Sequence, residues 1–502
     1  MTPHKAIVAS GDPLVSDTAI QIIRQGGNAY DGIIAAGFVS AIAEPTLTSL
    51  GGGGFLMART SEGTTKLFDF FTNTPGQGLP ASDLQPHFYP ITIKFANSDQ
   101  DFNIGLGSVA VPGTLKGFLH VHKRLGVLPL KEILAPAIHY AKNGVLLSEN
   151  QSTFLQLLEP IMTMTDTGRE HYSPGGHYFK HGETLTNHDL ACFLEKLASN
   201  EEHSFYQGEL ASRIEQDMLH GQGLLTAADL KDYQVYERDP ITTQYRGKQF
   251  ITNPPPSFGG SLITHALQGL EHFDFSSCAP LSPEYVHAHA AVMQHIENGR
   301  QNWGMDTSIP PKKFSRGTTH ISVSDGSGNV ASMTCSNGEG SGYFIPGTGI
   351  MLNNMMGEDD LHPNGFHSEP PGQRVSSMMS PSLLLEGDNI VMVIGSGGSK
   401  RIRTAITQVL SLVVDFGMNL QEAVNAPRIH WDEKMFQVEP GFTEDSLNAL
   451  RELGEIKISP MKNVYFGGVH AVIPKQEGGA DPRRGGAVKS FSLPECSESQ
   501  SR

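Results

Sequence analysis

Two hydroxyl-rich runs around a glycine turn hold the residues best suited to chemistry. Gly317-Thr318-Thr319-His320-Ile321-Ser322-Val323-Ser324-Asp325 is followed by Gly326-Ser327-Gly328, then by Asn329-Val330-Ala331-Ser332-Met333-Thr334-Cys335-Ser336. Ile321 and Val323 alternate with Ser322 and Ser324, the period-two pattern of a half-buried strand. If Asp325 pairs with Asn329 across the turn, antiparallel counting sets Thr318 opposite Ser336 and His320 opposite Thr334. Directly opposed residues bring their Cβ atoms to ~5 Å. Hydroxyls therefore gather at the open end of the hairpin, behind Gly317, a residue that tolerates strained backbone. This geometry suits a threonine that attacks its own preceding peptide bond and then uses the freed α-amine as its base. The neighbouring Thr319 would point to the other face. An ordinary Ser/Thr-rich surface hairpin has the same pattern, and this stretch by itself leaves both readings open.

A second candidate is Gly397-Gly398, between a strand expected over Asn389–Ile394 and a helix expected from near Ser399. Such a turn aims successive backbone N–H groups at negative charge. The charge could be the oxyanion of acyl transfer or a phosphate, and the turn is equally explained as a plain helix start.

The elements that must position these residues are legible in outline. Asp12-Pro13 reads as an N-cap followed by proline at the first helical position, with Gly26-Gly27 as the stop. The segment Asp31–Glu44 is apolar on most faces and reads as a buried helix. Gly51–Gly54 leads into a strand, Phe55–Ala58, and the glycines read as close backbone packing. From about Leu130 to Leu230 the pattern is helical. Pro254-Pro255-Pro256 is a rigid connector. His287, His289 and His295 lie in a helical segment, where positions two apart do not share a face, so they do not form a metal set. The tail from Gly478 is polar, ends Ser-rich and reads as frayed.

The bulk numbers set limits. A chain of 502 residues with 38% hydrophobic and 18% charged residues is globular, and its net charge of −16 argues against nucleic acid or an anionic membrane as partner. The most apolar run, Gly32 to Ala43, is shorter than the ~20 residues a bilayer requires. The residues before Gly11 show no charged-then-apolar leader, and Cys192, Cys278, Cys335 and Cys496 lack disulfide or metal spacing. A cytoplasmic protein is expected.

Further motifs follow in a fixed order. They begin with Gly11-Asp12-Pro13-Leu14, Gly26-Gly27-Asn28-Ala29-Tyr30-Asp31 and Leu50-Gly51-Gly52-Gly53-Gly54-Phe55. Val111-Pro112-Gly113-Thr114, then Pro254-Pro255-Pro256-Ser257 with Gly259-Gly260, precede the hairpin. Leu352-Asn353-Asn354, Ser376-Ser377-Met378, Gly395-Ser396-Gly397-Gly398-Ser399 and Asn425-Ala426-Pro427-Arg428 come after it. Together they resemble the γ-glutamyltransferase family of N-terminal-nucleophile hydrolases, almost end to end. The resemblance implies an α+β fold, a four-layer αββα sandwich, and self-cleavage between Gly317 and Thr318. The large chain, 1–317, and the small chain, 318–502, would stay intertwined in one domain.

It also implies roles. Thr318 would be the nucleophile, Ser336 its hydrogen-bonding hydroxyl, and Thr334 a second hydroxyl linked to maturation. Gly397 and Gly398 would form the oxyanion turn, although the loop is one residue shorter than the common pattern. Ser376 and Ser377 match the paired serines that hold a substrate α-carboxylate, and Glu358 falls at the acidic position that holds the α-amino group. Gly338 stands where the family usually has Asn, leaving Asn337 beside it as a candidate.

Two departures concern the acyl pocket. Phe71 replaces the carboxylate-gripping Arg, and Met355 replaces a polar ligand. Arg374, Lys400, Arg401 or Arg403 are possible substitute cations. The segment from Glu358 to Ser376 is too short for the lid loop of some members, which favours water over an amine as acceptor. The expected activity is a self-processing amide hydrolase or acyltransferase, with a γ-glutamyl amide such as glutathione as default substrate. The alternative is the same mechanism on another acyl amide, such as an oxamate-like monoamide or a cephalosporin side chain. An uncleaved binding homologue is disfavoured by the intact hydroxyl set. No metal or cofactor is called for, and the oligomeric state is open.

Overall fold

The computed structural model describes residues 5–492 apart from 81–85, 96–97, 200–202, 300–316 and 363–364. In its first part lie strands β1 (Lys5–Ser10), β2 (Gly53–Arg59), β3 (Thr65–Phe70), β4 (Tyr236–Arg238), β5 (Ile241–Tyr245) and β6 (Lys248–Thr252). The hydroxyl-rich hairpin is β7 (Thr318–Ser324) and β8 (Val330–Ser336). After it come β9 (Ser382–Glu386), β10 (Asn389–Gly397), β11 (Gly468–Ile473), β12 (Glu477–Ala480) and β13 (Ala487–Ser492). The helices that matter for the site are α1 (Pro13–Arg24), α2 (Ala29–Ala43), α3 (Thr114–Leu125), α4 (Phe258–Leu270), α5 (Pro283–Gly299), α6 (Arg401–Phe416) and α7 (Leu420–Asn425).

One seven-stranded sheet runs β13-β1-β7-β8-β2-β3-β4 and a six-stranded sheet runs β12-β11-β10-β9-β6-β5. β7 and β8 face β10 and β11, α1 to α3 cover the outer side of the first sheet, and α4, α6 and α7 cover the second. This is the αββα layering expected from the resemblance. Both sheets contain strands from before and after Gly317: β7 and β8 lie between β1 and β2, and β9 pairs with β6.

Local chemistry explains the elements. The Asp12 side chain accepts the Leu14 N–H, and Asn28 with Asp31 forms a capping box at the start of α2. All but one of the α2 residues are buried, which its uniformly apolar sequence requires. The hairpin has the expected register, with Thr318 opposite Ser336 and His320 opposite Thr334.

In one respect the hairpin differs from its pattern. Every residue of β7 and β8 is buried, where simple alternation predicts a wet face. Ile321, Val323, Met333 and Cys335 join the apolar core under the helices, while His320, Ser322, Ser332 and Thr334 face the second sheet. His320 Nδ1 bonds Thr334 Oγ1 at 2.8 Å and its Nε2 bonds Ser322 Oγ at 3.0 Å. Ser322 donates to the His470 carbonyl at 3.0 Å and Ser332 to the Ile394 carbonyl at 3.1 Å. Burial, with His470 nearby, holds the His320 pKa well below its ordinary value, so the ring is neutral.

The tail corrects another expectation. Glu477–Ala480 and Ala487–Ser492 are ordered strands, and the polarity of the second reflects its place at a sheet edge, paired only with β1. The Ser-rich end, 493–502, lies outside the described residues. The polyproline connector and the helical stretch from Leu130 are found where expected, and His287, His289 and His295 all lie on α5.

A Cβ on Gly395 would stand 2.1 Å from His320 Cε1. Gly395→Ala is therefore expected to cost about 1–3 kcal/mol by overpacking the seam between the sheets, seen as a lower thermal unfolding midpoint.

Candidate active site

The peptide between Gly317 and Thr318 lies at the buried end of β7. Thr318 Oγ1 donates to Ser336 Oγ at 3.3 Å, and Ser336 Oγ donates to the Gly317 carbonyl oxygen in a short contact. The Gly338 N–H supports Ser336 Oγ from behind at 3.1 Å. The Gly317 N–H donates to Glu339 Oε1 at 3.3 Å. One hydroxyl thus touches both the candidate nucleophile and the carbonyl it would attack.

Thr319 points the opposite way, as strand geometry requires. Its Oγ1 lies 3.1 and 3.0 Å from the two carboxylate oxygens of Glu44, the residue that ends α2. Glu44 is fully buried. Burial, reinforced by the charge of Asp12, pushes its pKa up to about 8, against the opposing effects of the Thr319 hydroxyl and Arg484.

On the side of Thr318 facing the second sheet, β10 ends in Gly397. A Cβ there would stand 2.3 Å from the Thr318 carbonyl oxygen, and Gly398 has φ +121°. Both positions need glycine, one for space and one for backbone conformation. The guanidinium of Arg484 enters the same space, with Nη1 donating to the Thr318 carbonyl at 3.0 Å.

A small cavity adjoins Thr318 and Ser336, with room for roughly one water at about 30 Å³. Its walls are Phe71, Met355, Leu361, Met378, Met379 and Ile402, with Glu358, Ser377 and Ser399 as the polar members. Phe71 is buried and stacks on Phe55 with ring centroids 5.5 Å apart.

The structure thus brings Thr318, Ser336, Glu358 and Ser377 together around one space, with Gly397 against the Thr318 carbonyl. Three expected residues lie elsewhere. Ser376 donates to the Leu361 carbonyl at 2.7 Å. Thr334 is bound to His320. Asn337 is buried against Gly52 and Gly340 and does not line the cavity.

None of the four candidate cations lines the cavity. Arg374 binds Asp69, the Phe71 and Gln234 carbonyls and the Tyr233 hydroxyl. Lys400 pairs with Glu433 at 2.9 Å, Arg401 bonds the Tyr465 carbonyl and lies over its ring, and Arg403 pairs with Glu297.

Sequence reasoning missed Glu44, Glu339 and Arg484. A lone carboxylate closing an otherwise apolar helix was a usable signal for Glu44. Arg484 is 166 residues from Thr318 and carries no local signal.

The gamma-glutamyltranspeptidase family model matches residues 15–313 and 307–491. The chain belongs to this family. It is 29% identical to the glutathione hydrolase proenzyme of Escherichia coli (strain K12), over 90% of this chain and 85% of that protein. It is 30% identical to the acylase ACY 1 proenzyme of Pseudomonas sp. (strain SE83), over 94% and 90%. A solved cephalosporin acylase from Bacillus halodurans superposes with a TM-score of 0.82 at 26% identity, over 97% of this chain and 96% of that one. Like other gamma-glutamyltranspeptidase family members, the protein is an amide hydrolase by class.

Glu44 makes a pH prediction for this family member. Its folded pKa of about 8 lies above the ordinary 4.5, so between these values the folded state keeps a proton that the unfolded state has lost. Stability should fall as pH rises through that window. Glu44→Gln should flatten this dependence, measured as the thermal midpoint against pH for both proteins.

Proposed function

We propose that this protein is a self-processing amidohydrolase whose nucleophile is Thr318, acting on acyl amides that are not held through an α-carboxylate. The Ser336 hydroxyl, shared between Thr318 Oγ1 and the Gly317 carbonyl, supports the first step. Thr318 Oγ1 attacks the Gly317 carbonyl carbon, the C–N bond breaks, and the Thr318 nitrogen takes the hydroxyl proton. Water then hydrolyses the Gly317 ester, leaving chains 1–317 and 318–502.

The new α-amine, with a reference pKa of ~8, becomes the base for turnover. It takes the Thr318 proton as Oγ1 attacks the substrate carbonyl, and returns it to the departing amine. Backbone N–H groups of the Gly397-Gly398 turn, beside the Thr318 carbonyl, would receive the oxyanion, a contribution of order 10²–10³ in rate. Water, or a second amine, takes the acyl group from Thr318.

The observation that carries the substrate reading is Phe71 in the cavity wall, with Arg374, Lys400, Arg401 and Arg403 all engaged elsewhere. A carboxylate beside Phe71, Met355 and Met378 would lose its hydration without gaining a cation. An apolar acyl group gains from the same walls. γ-Glutamyl hydrolysis is the second reading, favoured by Glu358 and Ser377 in the cavity and by the relatives named glutathione hydrolase. The cytoplasmic setting expected from the sequence is part of the proposal.

Two measurements test it. Intact mass and N-terminal sequencing should find a chain beginning at Thr318, and Thr318→Ala should stay whole. A single chain in the unsubstituted protein would overturn the nucleophile. A panel of p-nitroanilides should then show faster turnover of apolar acyl groups than of γ-glutamyl. The reverse order would overturn the pocket reading.

A further inference from the structure

Arg484 is nearly inaccessible at 2% exposure, yet it is not used as its neighbour is. Arg483 is held by Glu439 and Asp481 in a buried ion-pair network. Arg484 turns instead toward the end of β7. Its path is cleared by glycine: a Cβ on Gly468 would stand 2.2 Å from Arg484 Cδ, and one on Gly398 would stand 3.5 Å from Nη2. The guanidinium ends 3.0 Å from the Thr318 carbonyl oxygen, beside the Gly397-Gly398 turn.

The strand pairing shows why this contact matters. β1 pairs with β7 only from Ile321 onward, where Ser10 lies opposite it. Among the described residues, Thr318, Thr319 and His320 therefore have a strand partner in β8 alone. While the chain is whole, Gly317 also holds Thr318. Once the Gly317–Thr318 bond is cut, Thr318 is a terminus, and terminal residues fray unless tied down.

We propose that Arg484 is a positioning residue of the reaction, tethering the Thr318 carbonyl so that the hydroxyl and the new α-amine keep their places after the chain is cut. This rests on Thr318 being the nucleophile. The cation also bears on the amine. A positive charge close to an ammonium group disfavours it and leaves more of the amine as free base. The other ionisable groups around this end of β7 are Glu44 on α2, Glu339 after β8, Arg401 on α6 and Asp481 after β12; His320 and His470 are held largely neutral by burial.

The test uses Arg484→Lys and Arg484→Met in the full chain, with turnover counted per chain beginning at Thr318. Arg484→Lys keeps the charge but shortens the tether. Its kcat should fall on the order of tenfold to a hundredfold, as a displaced reacting group implies, with KM within about twofold and the acid limb of the pH profile in place. Arg484→Met should lose at least as much, and its acid limb should move up by about one pH unit. Values of kcat within twofold of the unsubstituted enzyme in either variant would overturn the proposal. If Arg484→Met does not fold, Arg484→Lys alone decides it. Absence of any chain beginning at Thr318 in the unsubstituted protein would instead bring down the nucleophile reading.

Discussion

The two sheets meet across a polar seam, and the rest of the molecule is arranged around satisfying it. His320, Ser322, Ser332 and Thr334 are buried between layers that would ordinarily meet through apolar side chains. Each buried polar group left without a partner would cost ~1–3 kcal/mol. A neutral imidazole solves this by accepting at one nitrogen and donating at the other, with carbonyls of β10 and β11 completing the chain. The solution permits one register only, because a one-residue slip would put Ile321 and Met333 against those carbonyls. That same register fixes Thr318 opposite Ser336. Placement of the candidate nucleophile is thus a by-product of hydrogen-bond satisfaction two and four residues away.

The opposite end of the site follows different physics. Around Phe71, Met355, Leu361 and Ile402 the cavity is walled by side chains that offer area rather than charge. Arg374 approaches Phe71 only from behind, gripping its carbonyl while tied to Asp69. A guanidinium is therefore present in the neighbourhood but does not line the cavity. The Thr318 and Ser336 hydroxyls thus adjoin a wall of mostly apolar side chains.

The sequence made the hairpin, its register, the capped helices and the αββα layering readable, because each depends on local pattern or on a familiar order of motifs. Alternation misled about the wet face of β7, since period two says which residues share a side but not what covers that side. Polarity likewise misled about the tail, where a sheet-edge strand has the composition of a loose end. Ser376 and Asn337 were placed by motif position, and neighbours on the chain can point in opposite directions. Arg484 was beyond reach: only the folded chain brings it to Thr318, and nothing near Thr318 encodes it.

The strand order also ties together distant parts of the chain. β1 is flanked by β7 on one side and by β13 on the other, with Lys5 opposite Ser492. β1 therefore finds both of its partners in segments far downstream, and contacts this distant in sequence form slowly. Arg484 lies in the same downstream region, between β12 and β13. A polypeptide lacking the segment from β11 onward would hold every hydroxyl of the hairpin and still lack the Arg484 contact on the Thr318 carbonyl, so the arrangement around Thr318 is complete only when segments far apart in sequence have met.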